Sequence, residues 1–179
     1  SCPACWSRCA ARANVNGRAP SARRTWKAAR RSLLGSSFPI RSVTKSFTVT
    51  IVLQLVRDRL LRLADTIDRY VPGVPNGNLI TLADLAGMQS GLKDYSSTTA
   101  FFYLFVADLQ RVWTERELVD FGLAGSPVFL PAAEYQYSNT NTVLLGMVIE
   151  AVTGQTLAEQ MGTRIFTPLG LTGTAYPFE

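Results

Sequence analysis

The sequence predicts a mainly helical domain over residues 38–179, and three observations support that fold class. Apolar residues recur at helical spacing, Ser/Thr-x-x-acid capping boxes open several segments, and few stretches alternate as strands do. With 47% hydrophobic and 17% charged residues, the chain is too apolar to remain disordered. At 179 residues it is long enough to bury a core without disulfide or metal staples.

The first helix is predicted to open at Ser42 and to run to about Arg59, because apolar residues recur there four positions apart. Three later helix starts carry capping boxes, in which a Thr and an acidic residue three positions on satisfy free amides of the first turn. These pairs are Thr81 with Asp84, Thr114 with Glu117, and Thr156 with Glu159.

A further helix is predicted from about Asn141 to Thr153, ending at Gly154, since glycine favours the left-handed conformation that closes a helix. Glycine and proline place turns or loops at 72–77, 87–91 and 125–131. The longest purely apolar run, Phe101 to Ala107, is far below the ~18 residues that a membrane helix needs, so no transmembrane segment is expected.

Residues 1–37 are predicted to form a separate, basic, low-order segment ahead of the domain. They hold eight of the 18 Lys and Arg residues and no acidic residue, which leaves ten basic against 13 acidic residues, a charge of −3, for the rest. A disordered arm and sequence foreign to the domain are both compatible with this composition. A nucleic-acid or membrane-surface arm is the alternative, but with few aromatic residues present we expect no nucleic-acid partner.

The cysteines and the absence of histidine restrict the possible chemistry. Cys2, Cys5 and Cys9 are the only cysteines, and without a fourth Cys or a His they cannot complete a tetrahedral zinc site, so no metal is expected. The chain contains no histidine, which excludes a Ser-His-Asp triad and a Cys-His pair. Acid-base chemistry must therefore use carboxylates, Lys, Tyr or Cys.

Two Ser-x-x-Lys sequences could supply a nucleophile and a base: Ser42 with Lys45, and Ser90 with Lys93. Only the first lies on a predicted helix, where a three-residue spacing puts both side chains on one face, whereas Ser90 lies in a glycine-rich connection. Lys45 would have to be neutral for part of the cycle, which apolar surroundings favour. Alternatively, Ser42 is a capping residue and Lys45 a surface lysine.

Tyr137-Ser138-Asn139 is the second candidate motif. A phenol can shuttle a proton, and an amide can both donate to and accept from a substrate amide. In an extended loop, a two-residue spacing would direct both side chains the same way. Alternatively, Tyr137 packs on the core and Asn139 or Thr140 caps the next helix.

Together the two motifs and their flanks resemble the penicillin-recognising serine hydrolases, which include class C β-lactamases, D-alanyl-D-alanine carboxypeptidases and related esterases. The similarity runs from about Phe38 to the C-terminus and is carried by four stretches in the family's order: 38–48, 80–95, 137–154 and 168–171. The resemblance implies an α+β fold, with a helical subdomain and an antiparallel sheet, of which this chain holds mostly the helical part.

The resemblance also implies a role for each matched residue. Ser42 would be the acylated nucleophile and Lys45 the base that takes its proton. Tyr137 would pass protons to the leaving group and help to activate the deacylating water, while Asn139 would hold the substrate's side-chain amide. The oxyanion hole would use the Ser42 amide and one amide of a sheet-edge strand. Substrates would be β-lactams, D-Ala-D-Ala peptides of peptidoglycan or esters, and no cofactor is implied.

Several departures from the family pattern qualify this expectation. The third motif, Lys or His followed by x-Gly, is absent, and residues 1–37 lack alternating strands and an export signal, although relatives usually act outside the cytoplasm. Arg41 stands where relatives usually have a small residue, and Ala132-Ala133 replaces a Pro-Gly turn. We therefore expect an incomplete copy with little or no turnover. The alternative function is a non-catalytic remnant or binding module of the same fold.

Overall fold

Helices form most of the chain that the computed structural model describes, residues 38–176. Six α-helices lie in this range: α1 Thr44–Arg57, α2 Leu82–Ala86, α3 Thr99–Ala107, α4 Glu115–Leu123, α5 Asn139–Thr153 and α6 Leu157–Met161. Short 3₁₀ turns occur at Arg41–Val43, Ile67–Arg69 and Tyr95–Ser97, and one π-helical turn, Gly162–Phe166, follows α6.

The core is formed mainly where α1 packs against α5. Both helices have buried apolar faces, as the helical spacing predicts; α2 and α4 pack against α5, and α6 packs against both α1 and α5. The fully buried apolar side chains are Ile51, Val52, Leu55, Ile67, Ile80, Leu82, Leu85, Val119, Leu144, Leu145, Val148, Ile149 and Met161. Their removal from water supplies the main driving force for folding of this unit.

The predicted helix signals are confirmed where the structure describes them. In all three capping boxes the Thr hydroxyl accepts from the amide three residues on, and the acidic side chain accepts from the Thr amide. Gly154 has a φ of 68° and ends α5. The first predicted helix is present as the turn Arg41–Val43 followed by α1, so Ser42 precedes the α-helix proper.

The start of α5 was predicted two residues too late. The helix begins at Asn139 and its N-cap is Ser138, whose hydroxyl makes no capping hydrogen bond. The alternative interpretation of the motif, in which Asn139 or Thr140 is the N-cap, is therefore wrong on that point. Tertiary contacts hold the N-terminus of α5 instead, because Asn139 and Thr140 both form hydrogen bonds with the loop that follows α2.

Helix α3 was recognised in the sequence only as an apolar run. Its N-terminus is capped by Thr98, whose hydroxyl accepts from the Phe101 amide. Phe101 lies in an aromatic cluster with Tyr95, Phe105, Trp113 and Phe121. The other face leaves Phe102, Tyr103, Leu104 and Val106 exposed. A helix that is apolar all round shows no amphipathic period, so the usual signal was absent.

Between Phe38 and Tyr176 the structure contains no strand, only an isolated antiparallel bridge between Thr66 and Thr81. This agrees with the prediction that the chain holds mostly the helical part of an α+β fold. None of the helices described is long and apolar enough to cross a membrane. The described residues contain no group of three metal-ligating side chains, and Cys2, Cys5 and Cys9 lie outside them.

Candidate active site

Ser42 and Lys45 lie at the entrance to α1. Ser42 is the middle residue of the turn Arg41–Val43, and Lys45 is the second residue of α1. The turn brings their side chains to one face, and Lys45 Nζ donates to Ser42 Oγ over 3.3 Å. Ser42 is exposed and Lys45 is half-buried. The serine hydroxyl is thus accessible to a ligand and already in contact with an amine.

Tyr137 reaches the same serine from a distant part of the sequence. Its phenol oxygen is 2.8 Å from Ser42 Oγ, and its ring lies below Lys45, with Nζ 5.0 Å from the ring centroid. The phenol also donates to Asn139 Oδ1 over 3.3 Å. The structure therefore brings all four predicted site residues into one hydrogen-bonded chain.

The pKa of Tyr137 is lowered from the ordinary value of a phenol. Partial burial raises it and is the largest single influence, but hydrogen bonding with Lys45 and Ser42 and the positive charge of Lys45 together outweigh burial. The negative charge of Asp94 opposes them weakly. A phenol of this kind can exchange a proton with a neighbouring hydroxyl more readily than a free tyrosine can.

Asp94 and Ser96 hold Asn139. The Asn139 amide nitrogen donates to both Asp94 carboxylate oxygens, each over 3.2 Å, and to Ser96 Oγ over 3.1 Å. Its backbone N–H also donates to Asp94 Oδ1 over 3.2 Å. Asp94 thereby supplies an acceptor to one of the free amides at the start of α5.

A buried polar contact fixes the loop that carries Asp94. Thr140 Oγ1 donates to the Lys93 carbonyl over 2.7 Å and accepts from the Tyr95 amide over 3.0 Å, so it holds the backbone on both sides of Asp94. Ser90 Oγ donates to Asn141 Oδ1 over 2.6 Å. Ser90 is thus buried and hydrogen-bonded, and the second Ser-x-x-Lys sequence lies outside any helix, as predicted.

Two residues that depart from the family pattern have a left-handed backbone. Arg41, immediately before the serine, has a φ of 51°, and Ala132, in the turn before Tyr137, has a φ of 62°. Glycine adopts this conformation without the clash that a Cβ atom introduces. The strain lies on the two segments that bring Ser42 and Tyr137 together.

Sequence reasoning missed Asp94 and Ser96. Asp94 lies in the stretch 80–95, which carries part of the family resemblance, and Ser96 directly follows that stretch, but no role was inferred for either residue. The Asp94 side chain accepts from the Ser96 amide and hydroxyl, a local turn that an Asp-x-Ser sequence favours. That signal indicates a turn; it does not indicate contact with Asn139, 45 positions away.

A serine, a lysine and a tyrosine in mutual contact on this helical frame define the class of serine hydrolases with the β-lactamase fold. The chain belongs to the Beta-lactamase family, whose model matches residues 11–178. The match begins ahead of Phe38, where the sequence predicts the domain to start; the separate nature of residues 1–37 stays a prediction.

Relatives with this fold include peptidases and amidases. The chain is 32% identical over 143 residues to penicillin-binding protein 4* of Bacillus subtilis, covering 78% of this chain and 30% of the relative. It is 33% identical to a D-aminopeptidase of Brucella anthropi over 139 residues, covering 77% of this chain and 26% of the relative. The chain thus spans between a quarter and a third of these relatives.

Among solved structures, a D-stereospecific amidohydrolase from Streptomyces sp. is similar, with a TM-score of 0.72 and 36% identity. The similarity covers 75% of this chain and 42% of that one. The predictions of family and fold class are confirmed by these findings. The catalytic roles of individual residues stay predictions.

Proposed function

We propose that this chain carries the acylation centre of a serine hydrolase that cleaves amide or ester bonds, with Ser42 as the nucleophile. One observation supports this most directly: Ser42 Oγ is accessible and contacts both the Tyr137 phenol and the Lys45 amine. A serine is a weak nucleophile until a neighbouring group takes its proton, and the site offers two such groups.

In the proposed reaction, Lys45 first loses the proton that makes it a donor to Ser42, and Ser42 Oγ then attacks the carbonyl carbon as its own proton passes to the Lys45 amine. The carbon-nitrogen or carbon-oxygen bond then breaks, and Tyr137 delivers a proton to the leaving group. Water then gives a proton to the Tyr137 phenolate as it attacks the ester carbonyl; the carboxylic acid product leaves, and the Ser42 oxygen regains its proton from Lys45. The start of α1 and the Ser42 amide favour the negative charge that develops on the carbonyl oxygen.

The substrate class is proposed from the relatives. The matched relatives are named for penicillin binding, for D-aminopeptidase activity and for D-stereospecific amide hydrolysis. These names favour an amide whose acyl part is a D-amino acid or a D-residue peptide. Such a substrate is a small molecule or a peptidoglycan peptide; a β-lactam or a simple ester would use the same acylation step.

Acylation of Ser42 can be measured directly. The chain is incubated with p-nitrophenyl acetate and, separately, with a fluorescent penicillin, and the modified peptide is identified by mass spectrometry. We expect acetylation of Ser42 and a burst of p-nitrophenol, both lost in Ser42→Ala. Ser46→Ala is the matched control, because Ser46 is exposed one turn further along α1.

The alternative is a non-catalytic module of the same fold. Sharp near-ultraviolet circular dichroism together with no modification of Ser42 by either reagent would support it and refute the proposal. Equal modification of Ser42→Ala and wild type would also refute it, because the reacting residue would then be another one.

A further inference from the structure

The side-chain amide of Asn139 has one orientation that satisfies its neighbours. Its nitrogen donates to both Asp94 carboxylate oxygens and to Ser96 Oγ, and its oxygen accepts from the Tyr137 phenol over 3.3 Å. An ionised carboxylate can only accept hydrogen bonds, so a reversed amide would place its oxygen against other acceptors. Asp94 therefore fixes an acceptor, and not a donor, on the side of Asn139 where Tyr137 and Ser42 lie.

Lys45 fixes the other end of the same hydrogen-bonded chain. Its Nζ donates to Ser42 Oγ over 3.3 Å, and a charged ammonium group has no lone pair with which to accept. The Ser42 proton then has the Tyr137 phenol oxygen, 2.8 Å away, as its acceptor, and the phenol proton has Asn139 Oδ1. Each hydroxyl proton has an acceptor only in this direction. The phenol proton of Tyr137 therefore lies on the Asn139 side.

Lys45 and Asp94 act on the Tyr137 phenol in opposite directions. Burial raises the pKa of Tyr137, contacts with Lys45 and Ser42 lower it, and the charge of Asp94 raises it. Lys45 therefore favours the phenolate. The oxygen of Asn139 and the negative charge behind it favour the neutral phenol, because both attract an O–H proton and repel a phenolate oxygen.

The other charged and titratable groups near Tyr137 do not replace Asp94. Arg41 is exposed in the turn that carries Ser42, so it adds positive charge on the same side as Lys45. Tyr95 is neutral until its own phenol ionises, and burial and then Asp94 raise the pKa of that phenol. Among residues 38–176, Asp94 supplies the carboxylate charge that acts on Tyr137.

The proposed reaction requires a protonated phenol for one class of substrate. When a carbon-nitrogen bond breaks, the amine nitrogen must gain a proton, and Tyr137 is the group proposed to deliver it. A phenolate has no such proton to give. A p-nitrophenyl ester differs, because p-nitrophenolate is a stable anion and leaves without a proton. Amide cleavage therefore depends on the protonation of Tyr137 before the carbon-nitrogen bond breaks, and p-nitrophenyl ester cleavage does not.

Resting on the proposed function, we propose that Asp94 is a positioning residue that keeps the Tyr137 phenol protonated for amide cleavage, by holding Asn139 Oδ1 against it. Asp94 acts through Asn139 and through its negative charge, and it opposes the effect of Lys45. Ser96 supports the same orientation of the Asn139 amide.

Ultraviolet difference titration of the tyrosinate band measures the first consequence. In Asp94→Asn the negative charge is lost, and the new amide can donate to a reversed Asn139 amide, so both influences that favour the neutral phenol weaken. Tyr137 should therefore titrate at lower pH than in wild type. Because Tyr95 also responds to Asp94, Tyr137→Phe is made in both backgrounds, and the difference isolates the signal of Tyr137.

A pair of substrates with the same acyl part measures the second consequence. Values of kcat/KM are determined from neutral to alkaline pH for D-alanine p-nitroanilide and D-alanine p-nitrophenyl ester, with Ser42→Ala as the blank. The two substrates share one α-amino group, so its titration cancels in the anilide-to-ester ratio. Near pH ~9, below the ordinary pKa of a phenol, Asp94→Asn should lower this ratio by about three- to tenfold relative to wild type. At neutral pH the change should be smaller.

Asp108→Asn is the control for loss of a carboxylate. Asp108 accepts from the Gln110 amide in the loop after α3, and an Asn oxygen can do the same. It should keep the wild-type titration of Tyr137 and the wild-type ratio. If circular dichroism shows that Asp94→Asn does not fold, Asp94→Ser takes its place, because a Ser hydroxyl can still accept from the Ser96 amide in the turn.

The outcomes separate the two proposals. If Tyr137 titrates at the same or a higher pH in the folded Asp94 variant, the inference is wrong, and acylation of Ser42 by p-nitrophenyl acetate would still support the proposed function. Equal losses for anilide and ester at every pH would show a merely structural role for Asp94 and also refute the inference. If the titration shifts as expected but no reagent acylates Ser42, the proposed function fails, and with it the role in amide cleavage, while the hydrogen-bond direction stands.

Discussion

The phenol oxygen of Tyr137 lies 2.8 Å from Ser42 Oγ, although 95 positions separate the two residues in the chain. Ser42 is held by the turn before α1, and Tyr137 by the segment that enters α5. Because α1 packs against α5 through the core, the contact depends on how these two helices are placed. The site therefore forms only when the two helices are packed together in the tertiary structure.

Removal of the positive charge beside Tyr137 should raise the pKa of that phenol. In wild type, hydrogen bonding with Lys45 and Ser42 and the charge of Lys45 lower the pKa, although burial acts in the opposite direction. In Lys45→Met only burial, Asp94 and the weaker effect of Ser42 remain, so Tyr137 should titrate at higher pH. Ultraviolet difference titration of the tyrosinate band, with Tyr137→Phe to identify the signal, measures the shift. An unchanged titration in Lys45→Met would show that Lys45 does not influence Tyr137.

Replacement of Arg41 by glycine should stabilise the protein, in contrast to the usual effect of glycine at a helix. Arg41 has a φ of 51°, where a Cβ atom costs roughly 1–2 kcal/mol. We expect the free energy of unfolding of Arg41→Gly, measured by urea denaturation, to be about 1 kcal/mol higher than that of Arg41→Ala. Arg41→Ala is the matched control because it removes the same side chain and keeps the strain. A less stable glycine variant would contradict the left-handed backbone at this position.

Ala132 offers an independent test of the same effect. Its φ is 62°, and its amide donates to the Gln89 carbonyl over 2.9 Å, which constrains the turn. Ala132→Gly should raise the free energy of unfolding by about 0.5–1 kcal/mol, after the greater chain entropy of glycine is taken into account. Thermal denaturation is measured on Arg41→Gly, on Ala132→Gly and on the double variant. The changes in free energy of unfolding should add, and a departure from additivity would show that Arg41 and Ala132 are coupled.

A methyl group added at Gly122 should displace the buried residues that support the site. A Cβ atom there would lie 2.9 Å from the Lys93 carbonyl oxygen and 2.9 Å from Thr140 Cγ2. Gly122→Ala should therefore destabilise the protein by about 1–3 kcal/mol and reduce acylation of Ser42, because Thr140 holds the backbone around Asp94.

Gly162→Ala is the control for Gly122→Ala, since a Cβ atom at Gly162 has no atom of the described part of the chain within 4 Å. Its free energy of unfolding should be unchanged or slightly higher. Urea denaturation and the rate of acetylation are measured on both variants. Equal stability of Gly122→Ala and wild type would mean that α4 can move away from Thr140 without loss.

Two buried serines should respond oppositely to replacement by alanine. Among the atoms of residues 38–176, Ser138 Oγ is buried and has no hydrogen-bond partner, whereas Ser90 Oγ donates to Asn141 and accepts from the Leu92 amide. Ser138→Ala should raise the free energy of unfolding by about 1 kcal/mol, and Ser90→Ala should lower it by about 1–3 kcal/mol. Thermal or urea denaturation of the pair checks the sign of each change, and destabilisation by Ser138→Ala would reveal an interaction of its hydroxyl.

Local sequence patterns were sufficient for much of the helical frame. The three capping boxes and the end of α5 at Gly154 depend on residues within one turn of each other, so spacing alone predicts them. Helix α3 was missed because an all-apolar segment has no period, and the start of α5 because its stabilising contacts come from another loop.

The sequence by itself determined most of the helices, although not α3 or the start of α5, the residue types available for chemistry and, through the resemblance, the four residues Ser42, Lys45, Tyr137 and Asn139. Only the tertiary structure decided that Asp94 and Ser96 hold the Asn139 amide, which atom of that amide faces Ser42, and where the backbone is strained. The physical reason is range: helix signals act over a few residues, whereas hydrogen bonds between distant segments form only after burial of the core brings those segments together.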